Sequence, residues 1–156
     1  MPIKLPFDAN QAITGEASIS IAKPTEAVFH FIADQFFENY PKWSPDVVEL
    51  EPLDSNQVAV GKKAKQVRED NGDRVESVLE ITDYDPYMLF KFAGINAPYR
   101  HTYSLAEHPE QHATELTFRF ELLELDVFMR PFQKLIRLAI EDGAENTVNS
   151  IKTLLT

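Results

Sequence analysis

A change of hydrophobic period near Pro131 constrains this chain more than any other feature. From Val47 to about Leu125, apolar residues recur at every second position in short runs broken by turn residues. After Pro131 they recur three and four apart. The first period belongs to strands that bury one face, the second to an amphipathic helix. The helical stripe reads Phe132, Leu135, Ile136, Ala139, Ile140, Ala144, Val148, Ile151 and Leu155, with Arg137, Glu141, Glu145, Asn149 and Lys152 opposite. About 25 residues rising 1.5 Å each give roughly 37 Å, enough to cross a whole sheet. These periods predict an α+β fold in which an antiparallel sheet is lidded by a long C-terminal helix.

Turn signals at Asp54-Ser55-Asn56, Asn71-Gly72, Asp83 to Pro86, Gly94 to Pro98 and His108-Pro109 divide the middle of the chain into a meander of six strands. Asn71-Gly72 is the firmest of these, because a two-residue type I′ turn needs positive φ at both central positions. Placing Asp70 opposite Asp73 sets the register. Lys63 then faces Glu80, Lys65 faces Val78 and Val67 faces Glu76 on one side. The other side carries Ala64, Gln66 and Arg68 with Val75, Ser77, Leu79 and Ile81. A Lys63 to Glu80 pair belongs in water, so the second side is expected to be concave. Further on, Met88, Phe90 and Phe92 alternate with Leu89 and Lys91. Tyr99, His101, Tyr103 and Leu105 alternate with Arg100, Thr102 and Ser104; Leu116, Phe118, Phe120 and Leu122 alternate with Glu115, Thr117, Arg119 and Glu121. Upstream, Glu16 to Ala22 reads as a first strand with Ala17, Ile19 and Ile21 inward. Pro24 opens a short helix with a stripe of Ala27, Val28, Phe31 and Ile32, and a second short helix is expected over Phe36 to Tyr40, stopped by Pro41 and Pro45.

A chain of 156 residues has room for one core, since folding at this length removes roughly 70% of the unfolded surface from water. Eleven Phe and one Trp predict a core of rings. The formal charge of −10 repels phosphate backbones and anionic surfaces at long range, so neither nucleic acid nor a peripheral membrane anchor is expected. No run approaches the ~20 apolar residues of a membrane span. Without Cys there are no disulfides or thiolates, and Met1 to Asn10 lacks the apolar run of a signal peptide, so a cytoplasmic location is expected. Residues 1–15 are assigned to an N-terminal arm, whose Ile3, Leu5 and Phe7 alternate and are able to dock on a sheet edge, and 16–156 to a single domain acting as monomer or homodimer.

The order strand, two helices, six-stranded meander and long helix resembles the helix-grip fold of the START-like superfamily over nearly the whole length. The segment Tyr40-Pro41-Lys42-Trp43-Ser44-Pro45-Asp46-Val47 is similar to the proline-tryptophan segment of the polyketide cyclase and lipid-transport branch. This resemblance implies a curved seven-stranded sheet around the helix, with a cavity between them for a small hydrophobic molecule such as a lipid, polyketide or quinone. It implies no cofactor and no shared catalytic motif.

Candidate ligand-binding residues follow from the concave positions. Phe90, Phe92, Phe118 and Phe120 offer ring surface, and Ile136 and Ile140 face them from the helix. Tyr99, His101 and Tyr103 project side by side and are able to orient a carbonyl or phenol, the alternative being core residues satisfied by neighbours. Arg68, with Gln66 and Ser77 beside it, suits a ligand carboxylate or phosphate, or else a rim pairing with an acid. Trp43 either lines the cavity or plugs the gap between the short helices and the sheet. Gly143 forgoes about 1 kcal/mol of helix propensity, consistent with close approach or with room for a ligand. Of the four His, only His108 and His112 have a metal-ligand spacing, but they fall in a turn with Pro109 rather than on a helix, and no metal site is expected.

Three readings of function remain open. The first is a non-enzymatic binder or carrier of a small hydrophobic molecule. A cyclase or dehydratase would instead use His101 as acid or base, with Tyr99, Tyr103 or Arg68 stabilising an enolate. An interaction module would fill the pocket with its own rings.

Overall fold

The computed structural model describes residues 12–156 and contains seven strands in one antiparallel sheet, in the order β1-β7-β6-β5-β4-β3-β2. The strands are β1 Ile13–Ile21, β2 Val47–Pro52, β3 Lys63–Asp70, β4 Asp73–Asp85, β5 Leu89–Gly94, β6 Tyr99–His108 and β7 Ala113–Leu122. Three helices accompany them: α1 Thr25–Phe29, α2 Phe36–Trp43 and α3 Gln133–Leu155. This is the helix-grip architecture, with β1 closing the sheet against β7 from Ile13↔Leu122 to Ile21↔Thr114. Among the described residues no helix is long and apolar enough to cross a membrane.

The Asn71-Gly72 turn does what its sequence dictates. Asn71 at φ 50° and Gly72 at φ 88° occupy the left-handed region that a type I′ turn requires, and β3 pairs with β4 from Asp70↔Asp73 through Lys63↔Glu80, residue for residue as expected. Ala64, Gln66, Ser77, Leu79 and Ile81 are buried, which makes theirs the concave face, while Val75 near the hairpin end is exposed. On that face side chains form cross-strand rows. One runs from Gly15 through Phe120, His101 and Phe92 to Ile81; the next runs from Ala17 through Phe118, Tyr103 and Phe90 to Tyr84. Salt-bridged charges mark the convex side, where Arg100 forks onto Glu121 through two bonds of 2.9 Å. That fork lowers the Glu121 carboxyl and raises the Arg100 guanidinium from their ordinary ranges.

Five local expectations need correction. Strand β1 starts at Ile13, so Ile13–Gly15 belong to the sheet and not to the arm; Gly15 sits at an inward position and hid the alternation. A Cβ there would lie 2.6 Å from the Ile140 carbonyl oxygen, so the glycine lets α3 cross β1 in backbone contact. The remainder of the arm, with Ile3, Leu5 and Phe7, lies outside the described residues. Second, α1 runs into a π turn at His30–Asp34, closed by Gln35 N–H to His30 O at 3.0 Å, and the fully buried face is Val28, Phe29, Ile32 and Ala33, one position on from the expected stripe. Third, α2 passes through Pro41 to Trp43, because proline this late in a helix removes one backbone bond and the Ser44 N–H still reaches Tyr40 O at 3.0 Å. Fourth, Met88 precedes β5 and is 61% exposed, its carbonyl held by the Leu105 N–H.

The fifth correction concerns α3. Ala144, Val148 and Ile151 are buried, and Ile136, Ile140 and Leu155 partly so. Phe132, Leu135 and Ala139, expected in the same stripe, are exposed. The lid covers the core only from Ile136 onward.

Candidate functional site

Beneath the two short helices the core is filled by rings. Phe36 from α2 meets Phe90 and Phe92 at centroid distances of 5.2 and 4.9 Å, and Tyr40 stacks on Phe36 at 5.0 Å. Trp43 closes this cluster: its indole N–H donates to Tyr103 Oη at 3.2 Å, and its ring lies against Phe31, Tyr40 and Tyr103. The plug reading of Trp43 is therefore the one the packing supports. Burial raises the Tyr103 and Tyr40 hydroxyls well above the ordinary tyrosine range.

Beneath the Ile140–Thr147 stretch of α3 the core is hollow. A cavity of about 370 Å³ lies between the helix and the end of the sheet where β6 begins and β7 ends. That volume falls within the ~300 to 1,000 Å³ of small-molecule sites. Of the sequence-predicted residues, Gln66, Arg68, Tyr99, His101, Phe118, Phe120 and Ile140 line it. Trp43, Phe90, Phe92 and Tyr103 do not, being part of the ring-packed half, and Ser77 and Ile136 also lie off the lining. Ser44, Pro98, Leu122, Gly143, Ala144 and Thr147 line it without having been singled out as binding residues. The signal for three of them was present in the sequence: Gly143, Ala144 and Thr147 put small side chains on the sheet-facing side of α3. A Cβ added at Gly143 meets nothing within 4 Å, so the hollow begins at that backbone.

The lining is two-sided. On the helix side, Ile140, Gly143 and Ala144 are apolar, and the Thr147 hydroxyl donates back to Gly143 O at 2.9 Å, leaving its methyl as the side chain's remaining feature. On the sheet side, three buried polar atoms have no hydrogen-bond partner among the described residues: Gln66 Oε1, Tyr99 Oη and His101 Nδ1. A fourth, Tyr40 Oη, lies behind them near Ser44 and Arg68. Leaving such atoms unpaired costs about 1 to 3 kcal/mol each, so these groups gain from a polar atom, of water or of a ligand, placed among them. Burial pushes the His101 imidazole down to about 3, and the Arg68 charge adds to that, so His101 is neutral at physiological pH. Tyr99 is raised by burial and moderated by nearby Ser77, Arg68 and Gln66, and thus stays a protonated donor. Arg68 lines the cavity and reaches Asp46 at 3.6 Å, with its side chain 39% exposed, so the rim pairing with an acid is the role the geometry shows.

Gly94 sets the near wall. A Cβ there would collide with Ala97 O at 2.3 Å and with the Tyr99 ring at 2.7 Å, so the glycine lets the Gly94–Pro98 turn fold over tightly and fixes where Tyr99 points.

A family profile described as polyketide cyclase/dehydrase and lipid transport matches residues 12–156. The chain belongs to that family. No curated protein sequence matches it. Among solved structures, Ara h 8.0201 superposes with a TM-score of 0.71 at 11% identity, covering 93% of this chain and 98% of its own. The di-domain ARO/CYC StfQ from the steffimycin biosynthetic pathway gives 0.73 at 10% identity, with 94% of this chain covering 51% of that one. The Polyketide_cyc-like protein Cgl2372 from Corynebacterium glutamicum gives 0.63 at 21% identity over 92% of both chains. At these identities the likeness is one of fold. This family member divides its interior into a ring-filled part under α1 and α2 and a hollow under Ile140–Thr147 of α3, beyond which Val148 and Ile151 are packed in the core.

Proposed function

We propose that this protein binds a small, mainly apolar molecule carrying at least one oxygen function, with that oxygen against β3 and β6 and its apolar body against α3, Phe118 and Phe120. The supporting observation is the cluster of unpartnered Gln66 Oε1, Tyr99 Oη and His101 Nδ1 in the wall of a largely apolar cavity. Tyr99 offers a donor to a carbonyl, Gln66 Oε1 accepts from a hydroxyl, and the neutral His101 donates or accepts at Nδ1 according to its tautomer. Family membership and the ARO/CYC neighbours are in keeping with such a ligand. Binding without chemistry is the favoured form. An imidazole titrating at about 3 is almost wholly deprotonated at neutral pH and a weak base there, which suits it poorly to acid or base catalysis. A wholly filled core is disfavoured by the hollow.

Calorimetric titration with naphthalene, 1-naphthol and 2-acetylnaphthalene tests this reading. The two oxygenated probes are expected to bind at least tenfold more tightly than naphthalene, and Tyr99→Phe with Gln66→Leu to abolish that difference. Equal affinity for all three probes would show that the polar wall selects nothing.

A further inference from the structure

The chain between the end of β7 and the body of α3 is unlike the rest of the surface. It begins with a 3₁₀ turn, Val127–Phe132, followed by the first turns of α3. Val127, Phe128, Met129, Phe132, Leu135 and Leu138 are all exposed, and Phe128 is 82% exposed, so this is a projecting knob rather than a groove. Contiguous apolar surface of this extent on a soluble domain marks a contact site. Lys134 and Arg137 are interleaved with these side chains, and the one acid between residues 126 and 140, Asp126, has its carboxylate engaged by the Phe128 N–H at 2.9 Å. A chain with net charge −10 thus carries a locally cationic apolar knob.

We propose that Val127–Leu138 docks on an anionic lipid bilayer, the apolar side chains entering the interface and Lys134 and Arg137 meeting lipid phosphates and carboxylates. The whole-chain charge led to the opposite expectation, but a surface responds to charges within about a Debye length, roughly 8 to 10 Å, and not to the sum. Acidic residues bound the knob without entering it. Glu141, Asp142 and Glu145 follow Leu138 along α3 and limit how deeply it sinks. The hairpin acids Glu69, Asp70 and Asp73 belong to β3 and β4, across the cavity from α3, which makes docking tilted and knob first. A second copy fits this face less well, because a two-fold contact would set its cations against their own equivalents. The knob starts five residues after Leu122 and ends two before Ile140, both of which line the cavity, so docking brings the cavity mouth to the bilayer. This inference does not depend on the cavity's being a binding site.

Co-sedimentation with large unilamellar vesicles, in equal parts phosphatidylcholine and phosphatidylserine or in phosphatidylcholine alone, tests it with the full-length chain. Wild type is expected to partition at low salt onto the anionic vesicles at least tenfold more strongly than onto the neutral ones, and to be released by high salt. Lys134→Gln with Arg137→Gln should weaken anionic binding by roughly fivefold per charge. Phe128→Asp with Leu135→Asp should weaken it more than tenfold, while Leu53→Asp, on an exposed loop after β2, changes nothing. Because the substituted side chains stand in solvent, the thermal melts of these variants should match wild type. No partition of wild type, equal partition onto both vesicles, or full retention by the Asp variants overturns the proposal. So does a concentration-dependent dimer lost in those variants, or binding that appears only after residues 2–11 are deleted.

Discussion

Replacing His101 by Phe should remove a pH dependence from the stability of the fold. In the unfolded chain the imidazole titrates near 6.5, and in the folded protein at about 3 because it is buried and faces the Arg68 charge. Below pH 6.5 the unfolded chain therefore takes up a proton that the folded chain refuses, and stability falls with falling pH. Each pH unit through that window costs about 1.4 kcal/mol, so wild type should lose about 2 kcal/mol between about pH 7.5 and about pH 5 on account of this residue alone. Phe keeps the stacking on Phe92, whose ring centroid is 4.3 Å away, and the edge contact with Phe120 at 5.1 Å. It gives up no hydrogen bond at Nδ1, which has none. At about pH 7.5 the variant is thus expected to match wild type or exceed it by about 1 kcal/mol, the cost of an unpaired buried polar atom. Urea unfolding followed by the fluorescence of Trp43, the sole tryptophan, gives both stabilities; the carboxylates and His30, His108 and His112 are common to the two proteins and cancel in the difference. The gap between variant and wild type should widen by about 2 kcal/mol toward pH 5. A gap that stays constant would refute the claim that His101 is buried and neutral.

Glycines provide two further tests with opposite signs. Gly143→Ala adds a methyl that meets nothing and gains helix propensity, so chemical denaturation should show about 1 kcal/mol of added stability. Gly15→Ala drives a Cβ to 2.6 Å from the Ile140 carbonyl, in backbone that is not free to yield, and should cost about 1 to 3 kcal/mol in the same assay. Trp43→Phe leaves the buried Tyr103 hydroxyl without its 3.2 Å donor and should lower stability by about 1 to 3 kcal/mol, as read by thermal melts under circular dichroism.

Much of the architecture was legible because its signals are local. Asn71-Gly72 sets a turn, the turn sets the β3–β4 register, and period-two alternation sets which face is buried; Gln66, Tyr99, His101, Phe118 and Phe120 fell on the concave side for that reason. What the chain did not disclose is where the concave side is full and where it is empty. Phe90 and Phe118 look alike in sequence, yet Phe90 meets Phe36 of α2, and Phe118 faces the space left by Gly143 and Ala144 of α3. That distinction depends on which helix lies above each strand, a non-local fact. Periodicity likewise put Phe132 and Leu135 on the helix's apolar stripe, yet both are exposed, because whether a stripe finds a partner is also a non-local fact. The π turn at His30–Asp34 has no residue signature of its own.

Cavity filling tests the central claim most directly. Gly143→Phe should place a ring in the hollow between α3 and Tyr99 without disturbing the ring-packed half of the core. Titration of the native protein with 8-anilinonaphthalene-1-sulfonate should give saturable one-to-one binding that this single substitution abolishes while the circular dichroism spectrum stays unchanged. Binding of equal strength in the filled variant, or no saturable binding by the wild type, would contradict the account.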